Sequence, residues 1–291
     1  MRKFIFIALS FLSIACFAKD NTNDYLFIDR DSNAVFKIAV ATNGLVPLSN
    51  SNNLPKLWFP VGEGMTYDIY WGVIHVGTTS VTTDWVEQDG KPRLRIRHFT
   101  KTNRVVATLY PVEDTIETVI DPGPFLPVYF RKTLSEGHYR SDEITVFDRD
   151  AKLGRQGSFR DGHVKGFKIE PDTRDIVTAM YWLRRDSFTV GTTNQYRVMA
   201  DEKLYDLFVK PVGIEEQKVS AYGRIKVTRL DPDAAFNGLF MRKGKITVWV
   251  SNDERRLCTR MDAEVPVAAI HIELDRVRGP GDDAWVKKKK D

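Results

Sequence analysis

Two cysteines, Cys16 and Cys258, are all that the 291 residues contain. Loss of residues 1–18 as an export signal would leave Cys258 alone, which excludes an internal disulfide and any metal site built on paired thiols. No histidine neighbours Cys258 in the chain, so it reads as a half-buried strand residue rather than a reactive thiol. Histidine is scarce too. His75, His98, His138, His163 and His271 never fall within four residues of one another. The His-Glu-x-x-His spacing of zinc hydrolases is therefore missing, and no metal is expected. There is no Gly-x-Ser-x-Gly elbow and neither glycine fingerprint for phosphates, so no cofactor is expected and no catalytic residue is assigned. Charge of one sign is lacking as well. The chain has 43 Lys and Arg against 39 Asp and Glu; without Arg2, Lys3, Lys287 to Lys290 and Asp291, 37 face 38. A body so near neutrality excludes a dedicated nucleic-acid binder.

What is present begins with an address. Met1-Arg2-Lys3 is a positive start, Phe4 to Ile14 an apolar run too short for a comfortable mature span, and small residues follow to Ala18. Residues 1–18 thus read as a signal peptide and the protein as exported, to the periplasm or outer envelope. Ser13-Ile14-Ala15-Cys16 partly matches a lipobox, which keeps open the alternative of a lipoprotein anchored at Cys16. Residues 19–57 form a polar, Asn-rich leader with room for one docking strand.

From residue 58 to 278 the pattern is mainly β. Stretches such as Val76 to Val86, Arg93 to Phe99, Thr115 to Ile120, Ile246 to Val250 and Leu257 to Val265 alternate in polarity. Asp89-Gly90, Asp161-Gly162 and Asn252-Asp253-Glu254 mark hairpin turns. Antiparallel sheets forming a barrel- or sandwich-like body are expected. One amphipathic helix of three to four turns is expected near 172–185, with Asp172 as its N-cap and Asp175 in its first turn. A shift of 129 residues aligns Phe59-Pro60-Val61-Gly62 with Phe188-Thr189-Val190-Gly191, and Arg95-Ile96-Arg97 with Arg224-Ile225-Lys226. Two similar lobes, 58–170 and 186–278, therefore remain an alternative to one undivided body. Residues 279–291 form a basic tail.

Several side chains invite a functional reading. Tyr67 and Trp71 share one face of their strand, and with Tyr181 and Trp249 they could line a concave sheet that holds a lipid chain or a glycan. Lys287, Lys288, Lys289 and Lys290 could touch anionic lipid or wall polymer, a peripheral membrane contact. Glu113 with Asp114, Glu117 with Asp121, and Asp142 with Glu143 are the carboxylate sets that glycoside hydrolysis would need. Asp148-Arg149-Asp150 and Asn252-Asp253-Glu254 lack the glycine and distal glutamate of a calcium loop and read as turns.

Three segments together resemble a known family. They are Phe59-Pro60-Val61-Gly62-Glu63 with Tyr67, Trp71 and Gly77; Asp175 with Tyr181, Leu183 and Arg184; and Lys245 to Val250 with Ser251, Asp253 and Arg255-Arg256. Over about 58–275 the chain is similar to the bacterial domain-of-unknown-function family numbered 3108, whose members are mostly exported proteins of Gram-negative bacteria. Leu257-Cys258 stands where that pattern has a proline after its last arginines. The resemblance implies an envelope location and a mainly β fold, and it transfers no catalytic residue. The expected function is that of a non-catalytic envelope protein that binds or carries an apolar or amphipathic molecule or assists assembly. The alternatives are a carboxylate-dependent polysaccharide hydrolase and a structural subunit. The partner is an envelope lipid or glycan, or another envelope protein.

Overall fold

The computed structural model describes residues 26–29, 44–48, 54–200, 203–236, 239–240, 245–265, 268–282 and 285. Residues 1–18, expected as a signal peptide, with Cys16 among them, and Lys287 to Lys290 lie outside the described residues. The body is mainly β, as its alternation predicts. A first meander runs through β3 (Gly64–Trp71), β4 (Ile74–Gln88), β5 (Lys91–Thr102), β6 (Glu113–Asp121), β7 (Leu126–Glu136), β8 (Tyr139–Asp148), β9 (Leu153–Ser158) and β10 (Val164–Lys168). Each strand pairs antiparallel with the next. A second meander runs through β12 (Asn194–Ala200), β13 (Lys203–Val219), β14 (Gly223–Phe236), β16 (Lys245–Ser251), β17 (Cys258–Val265) and β18 (Ala268–Arg278), with β15 (Leu239–Phe240) as a short addition beside β14. β18 pairs with β3, so both meanders form one continuous curled sheet. Two pieces of the leader add to it: β1 (Phe27–Asp29) pairs with β10 and β2 (Val46–Pro47) with β4. Moved by 129 residues, the starts of β3 to β8 fall within three residues of those of β12, β13, β14, β16, β17 and β18, in order.

Turn chemistry sets the register where the sequence places it. Asp89 and Gly90 both take positive φ, 50° and 70°, the geometry that lets a tight hairpin follow the strand twist. β9 is poor in strand formers but rich in glycine. A Cβ on Gly154 would come within 2.4 Å of the Phe167 ring, so glycine there admits the aromatic of the next strand.

Among the described residues, two short helices interrupt the strands: α1 (Arg104–Ala107) and α2 (Ile176–Leu183). α2 starts later and is shorter than expected. Arg174 and Asp175 first form β11, a two-residue parallel pairing with Val198 and Met199 of β12. That pairing holds the backbone extended through residue 175, so Asp175, not Asp172, is the N-cap. Its carboxylate accepts from the N–H groups of Val177 (2.9 Å) and Thr178 (3.0 Å) and from the hydroxyls of Thr178 (2.5 Å) and Thr118 (2.9 Å). Thr118 lies in β6, so the cap also bolts α2 to the sheet. Burial raises the pKa of Asp175, while the bonds from Thr178, Thr118 and Val177 oppose that shift.

One interaction ties the ends of three distant segments. Arg184, just beyond α2, turns its guanidinium inward onto both oxygens of Glu63, which is 1% exposed. Its Nε donates to the carbonyl of Arg255 (2.9 Å), and Arg256 donates back to the Arg184 carbonyl (3.1 Å). The rings of Phe59 and Tyr181 flank the guanidinium, each 5.0 Å from its carbon. Burial works against the charge of Arg184 most strongly, yet its pKa is raised, because the Glu63 carboxylate outweighs the loss of water.

Glu63→Ala leaves a buried, unpaired guanidinium and is expected to cost about 3–5 kcal/mol in chemical denaturation. The paired change Glu63→Leu with Arg184→Met removes both charges, and its stability should lie within about 2 kcal/mol of wild type. Asp175→Ala should cost about 1–2 kcal/mol, read in the same experiment.

Candidate binding site

Strand alternation sends every second side chain of β5 to β9 inward, and the ladder sets them in rows. One row reads His98, Ile116, Lys132, Glu143 and Ser158, each opposite the next across successive strands. The row below reads Ile96, Thr118, Phe130, Thr145 and Gln156. Above lie Asp114 and Ser141, and Glu136 stands at the end of β7. His98, Asp114, Glu136, Ser141, Thr145, Gln156 and Ser158 are all buried. Ile96, Ile116 and Phe130, interleaved with them, belong to the same core as Met65, Tyr67 and Ile69 of β3 and Ile270, Ile272 and Leu274 of β18. The interior is therefore two-sided: a wall rich in polar groups on β5 to β9, and an apolar wall on β3 and β18.

The polar wall is partly self-satisfied. Lys132 Nζ lies 3.5 Å from Glu143, whose other oxygen accepts from the Ser141 hydroxyl at 2.9 Å. Asp114 Oδ1 accepts from the Ser135 N–H at 2.8 Å. Burial raises the Asp114 pKa, while the Ser135 N–H and a hydrogen bond with Glu136 pull it down. Glu136, the second buried acid at this end of the wall, is 2% exposed. The same two acids help burial push the Tyr110 phenol up to about 12. Nε2 of His98 and Oε1 of Gln156 are among the buried polar atoms that have no hydrogen-bond partner among the described residues. Burial alone lowers the His98 pKa to about 4, so its ring is neutral at pH 7.

The residues singled out in the sequence are distributed unevenly. Tyr67 and Tyr181 meet in the core beside the Glu63–Arg184 pair, and burial raises both phenol pKa values strongly. Trp71 is half-buried on the same inner face, further along β3. Trp249 stands elsewhere. Its indole donates to Glu215 at 3.1 Å, and the Arg260 guanidinium covers its ring at 5.4 Å, beside the Asp262 and His271 of the sheet's outer side. The four aromatics therefore do not line one cleft.

The carboxylate sets are separated or neutralised. Glu113 is exposed while Asp114 is buried. Glu117 accepts from Arg97 (2.7 Å) and from the Tyr129 hydroxyl (2.8 Å), and Asp121 pairs with Arg93 (2.5 Å). Asp142 takes a two-pronged Arg131, 2.9 Å on each arm. Asp148 caps its turn through the Ala151 N–H, and Asp253 binds Ser251, Arg255 and Trp285, as turn residues do. Cys258 is half-buried, and burial pushes its thiol up to about 12. Among the described residues no three His, Cys, Asp or Glu side chains converge as metal ligands would.

Sequence reasoning passed over His98, Lys132, Gln156 and Glu136. The readable signal was inward position on alternating strands. Glu136 belongs to β7, a strand that the pattern missed because Pro127 stands near its start. The structure accommodates Pro127 at a bulge opposite Ile120.

A family model described as "Protein of unknown function (DUF3108)" matches residues 66–275. No curated protein matches the chain. Among solved structures, a Brucella abortus protein described as a β-barrel-like protein of domain of unknown function DUF1849 superposes with a TM-score of 0.50. It is 10% identical, and the match covers 75% of this chain and 98% of that one. A Parabacteroides distasonis protein described as a "putative lipoprotein" is 8% identical, with 78% of this chain and 100% of that one covered. Its TM-score of 0.33 supports no argument. The Brucella likeness bears on fold alone.

The neutral His98 carries a pH signature. The unfolded chain takes up a proton near the ordinary value of 6.5, the folded one only near 4. The contribution of His98 is therefore complete above pH 6.5 and lost as pH falls toward 4, at most about 3 kcal/mol. Asp114 and Asp175, with raised values, act in the opposite sense and favour the folded state as they protonate. Thermal unfolding followed from pH 7 to 4 should show a drop in Tm that His98→Gln makes shallower.

Proposed function

The chain belongs to the DUF3108 family of proteins of unknown function, and from that premise we propose that it is an exported, non-catalytic envelope protein that binds or carries an amphipathic envelope molecule. The observation that carries this reading is the two-sided interior. Polar side chains are rare in a β core unless they are paired, since an unpaired buried group costs about 1–3 kcal/mol. Here His98 Nε2 and Gln156 Oε1 point inward unpaired, His98 in the same row as the Lys132–Glu143 ion pair and Gln156 in the row below. Such a wall suits a ligand headgroup, and the side chains of Met65, Ile69, Ile270 and Leu274 suit its apolar part. A lipid fits that division better than a glycan, which would want polar groups on both walls. The apolar signal at residues 1–18 supports the envelope location.

The hydrolase alternative gains nothing from the acids that suggested it, because Glu117, Asp121 and Asp142 each sit under an arginine. The test is mass spectrometry of protein purified natively from its own envelope. A copurified amphipathic lipid is expected, and Lys132→Ala combined with His98→Leu should lower its occupancy about tenfold, as loss of one to two charged or neutral hydrogen bonds implies. Recovery of a reproducible protein neighbour with no lipid would overturn the carrier reading.

A further inference from the structure

One end of the sheet carries side chains that the fold does not use. Val73 is 96% exposed, Leu109 88%, Val105 76% and Ile74 60%. They stand on two connections at the same end: the β3–β4 hairpin, and the segment that holds α1 between β5 and β6. Asn103 joins these connections, its N–H donating to the Val76 carbonyl (2.9 Å) and its side-chain amide to the His75 carbonyl (2.6 Å). Gly137 of the β7–β8 hairpin donates to the Pro111 carbonyl at 2.7 Å, which draws that hairpin and half-exposed Tyr139 into the same rim. Large apolar side chains at the tips of neighbouring turns contribute nothing to the core and cost solubility, so they mark a contact.

We propose that this rim is a docking surface for a lipid bilayer with anionic headgroups. Charge complementarity argues for that occupant. Lys101, Arg104, Arg140 and Arg160 are exposed around the tips, against Glu113, Asp161 and Glu264. Arg160 reaches the Arg140 carbonyl at 2.6 Å, which brings those two cations together. Form argues the same way. The apolar groups are separate tips rather than a flat face, and they lie on turns rather than on an unpaired strand edge. Tips can enter a fluid interface one by one, whereas a protein partner adding a strand needs an open edge. Half-buried Trp71, at the end of β3 beside the hairpin, is of the type that favours a bilayer interface. Trp285, which precedes the basic tail in the sequence, donates to Asp253 at 2.7 Å and meets Tyr222 edge to face at the opposite end. The inference concerns the outer surface and holds whether or not the inner wall takes a ligand.

Protein processed and released by the cells that make it is floated with two kinds of vesicle: phosphatidylcholine alone, and phosphatidylcholine mixed with phosphatidylglycerol. Binding to the mixed vesicles is expected to fall about tenfold in Val73→Glu with Leu109→Glu. Both positions are solvent-exposed, and Val73→Ser with Leu109→Ser serves as a second variant with no added charge. Lys101→Ala with Arg104→Ala should weaken binding to the mixed vesicles and leave it unchanged on the neutral ones. Replacing Lys287 to Lys290 with alanine should leave binding within about twofold. Equal flotation of wild type and both tip variants would overturn the proposal. So would failure of the wild type to float, or loss of binding only with the lysine replacement.

Discussion

The Glu63–Arg184 pair is the joint on which the rest of the structure hangs. Its members are 121 residues apart. Glu63 leads into β3, where the first meander begins. Arg184 ends the crossing that separates the meanders, and through its Nε and its carbonyl it binds Arg255 and Arg256 in the β16–β17 turn. Charge taken out of water is costly, and it is tolerable only where geometry is good and every donor is used. Here the carboxylate meets two guanidinium nitrogens, and the third takes a backbone carbonyl. The three segments that carry the family resemblance thus meet in one place, although nothing in their separate patterns says so.

That joint also gives the body its polarity. Around it, the rings of Trp58, Phe59, Phe125, Tyr181 and Trp182 pack in edge-to-face and tilted contacts, and the Trp58 indole donates to the Tyr181 carbonyl at 2.9 Å. Arg255 holds Asp253 and covers the Trp285 ring at 4.1 Å, which draws the last described residue onto the same end. The joint seals that end with aromatic rings and charge pairs. At the other end the inner wall turns polar and the turns carry uncovered apolar tips.

Much of the architecture was legible before the fold was seen, for local reasons. Asp89-Gly90 and Asp161-Gly162 supply the backbone freedom of tight hairpins, and alternation in β4, β5, β6 and β16 marks a half-buried face. The misreadings have equally local causes. Asp172 looked like a cap because it follows a proline before an apolar run, but a two-residue pairing to β12 keeps the chain extended to Asp175. β7 was hidden by Pro127. The candidate site was hardly legible at all. His98, Lys132 and Glu143 are scattered along the chain, and only the ladder puts them in one row. Trp249, the aromatic of a clear strand, was assigned to a cleft when the pleat sends it to the outer side. Period two says that faces alternate; it does not say which face is inner.

The placement of the polar wall follows from these constraints rather than standing beside them. α2 enters the curled sheet from the sealed end. Asp175 fixes the helix start at Thr118, midway along β6, and Arg184 fixes its end at Glu63. Helix and aromatics therefore fill the sealed half with apolar contacts, and Thr118 marks the boundary. Beyond it the inward positions of β5 to β9 include His98, Lys132, Glu143, Asp114 and Glu136, interleaved with Ile116 and Leu134. If those positions existed only to fill space, leucine or valine would do so with no unpaired nitrogen and no buried acid. Their polarity is a cost to stability that the fold has no use for. That is the physical reason to look for function on this wall rather than among the tightly bonded carboxylates and arginines outside.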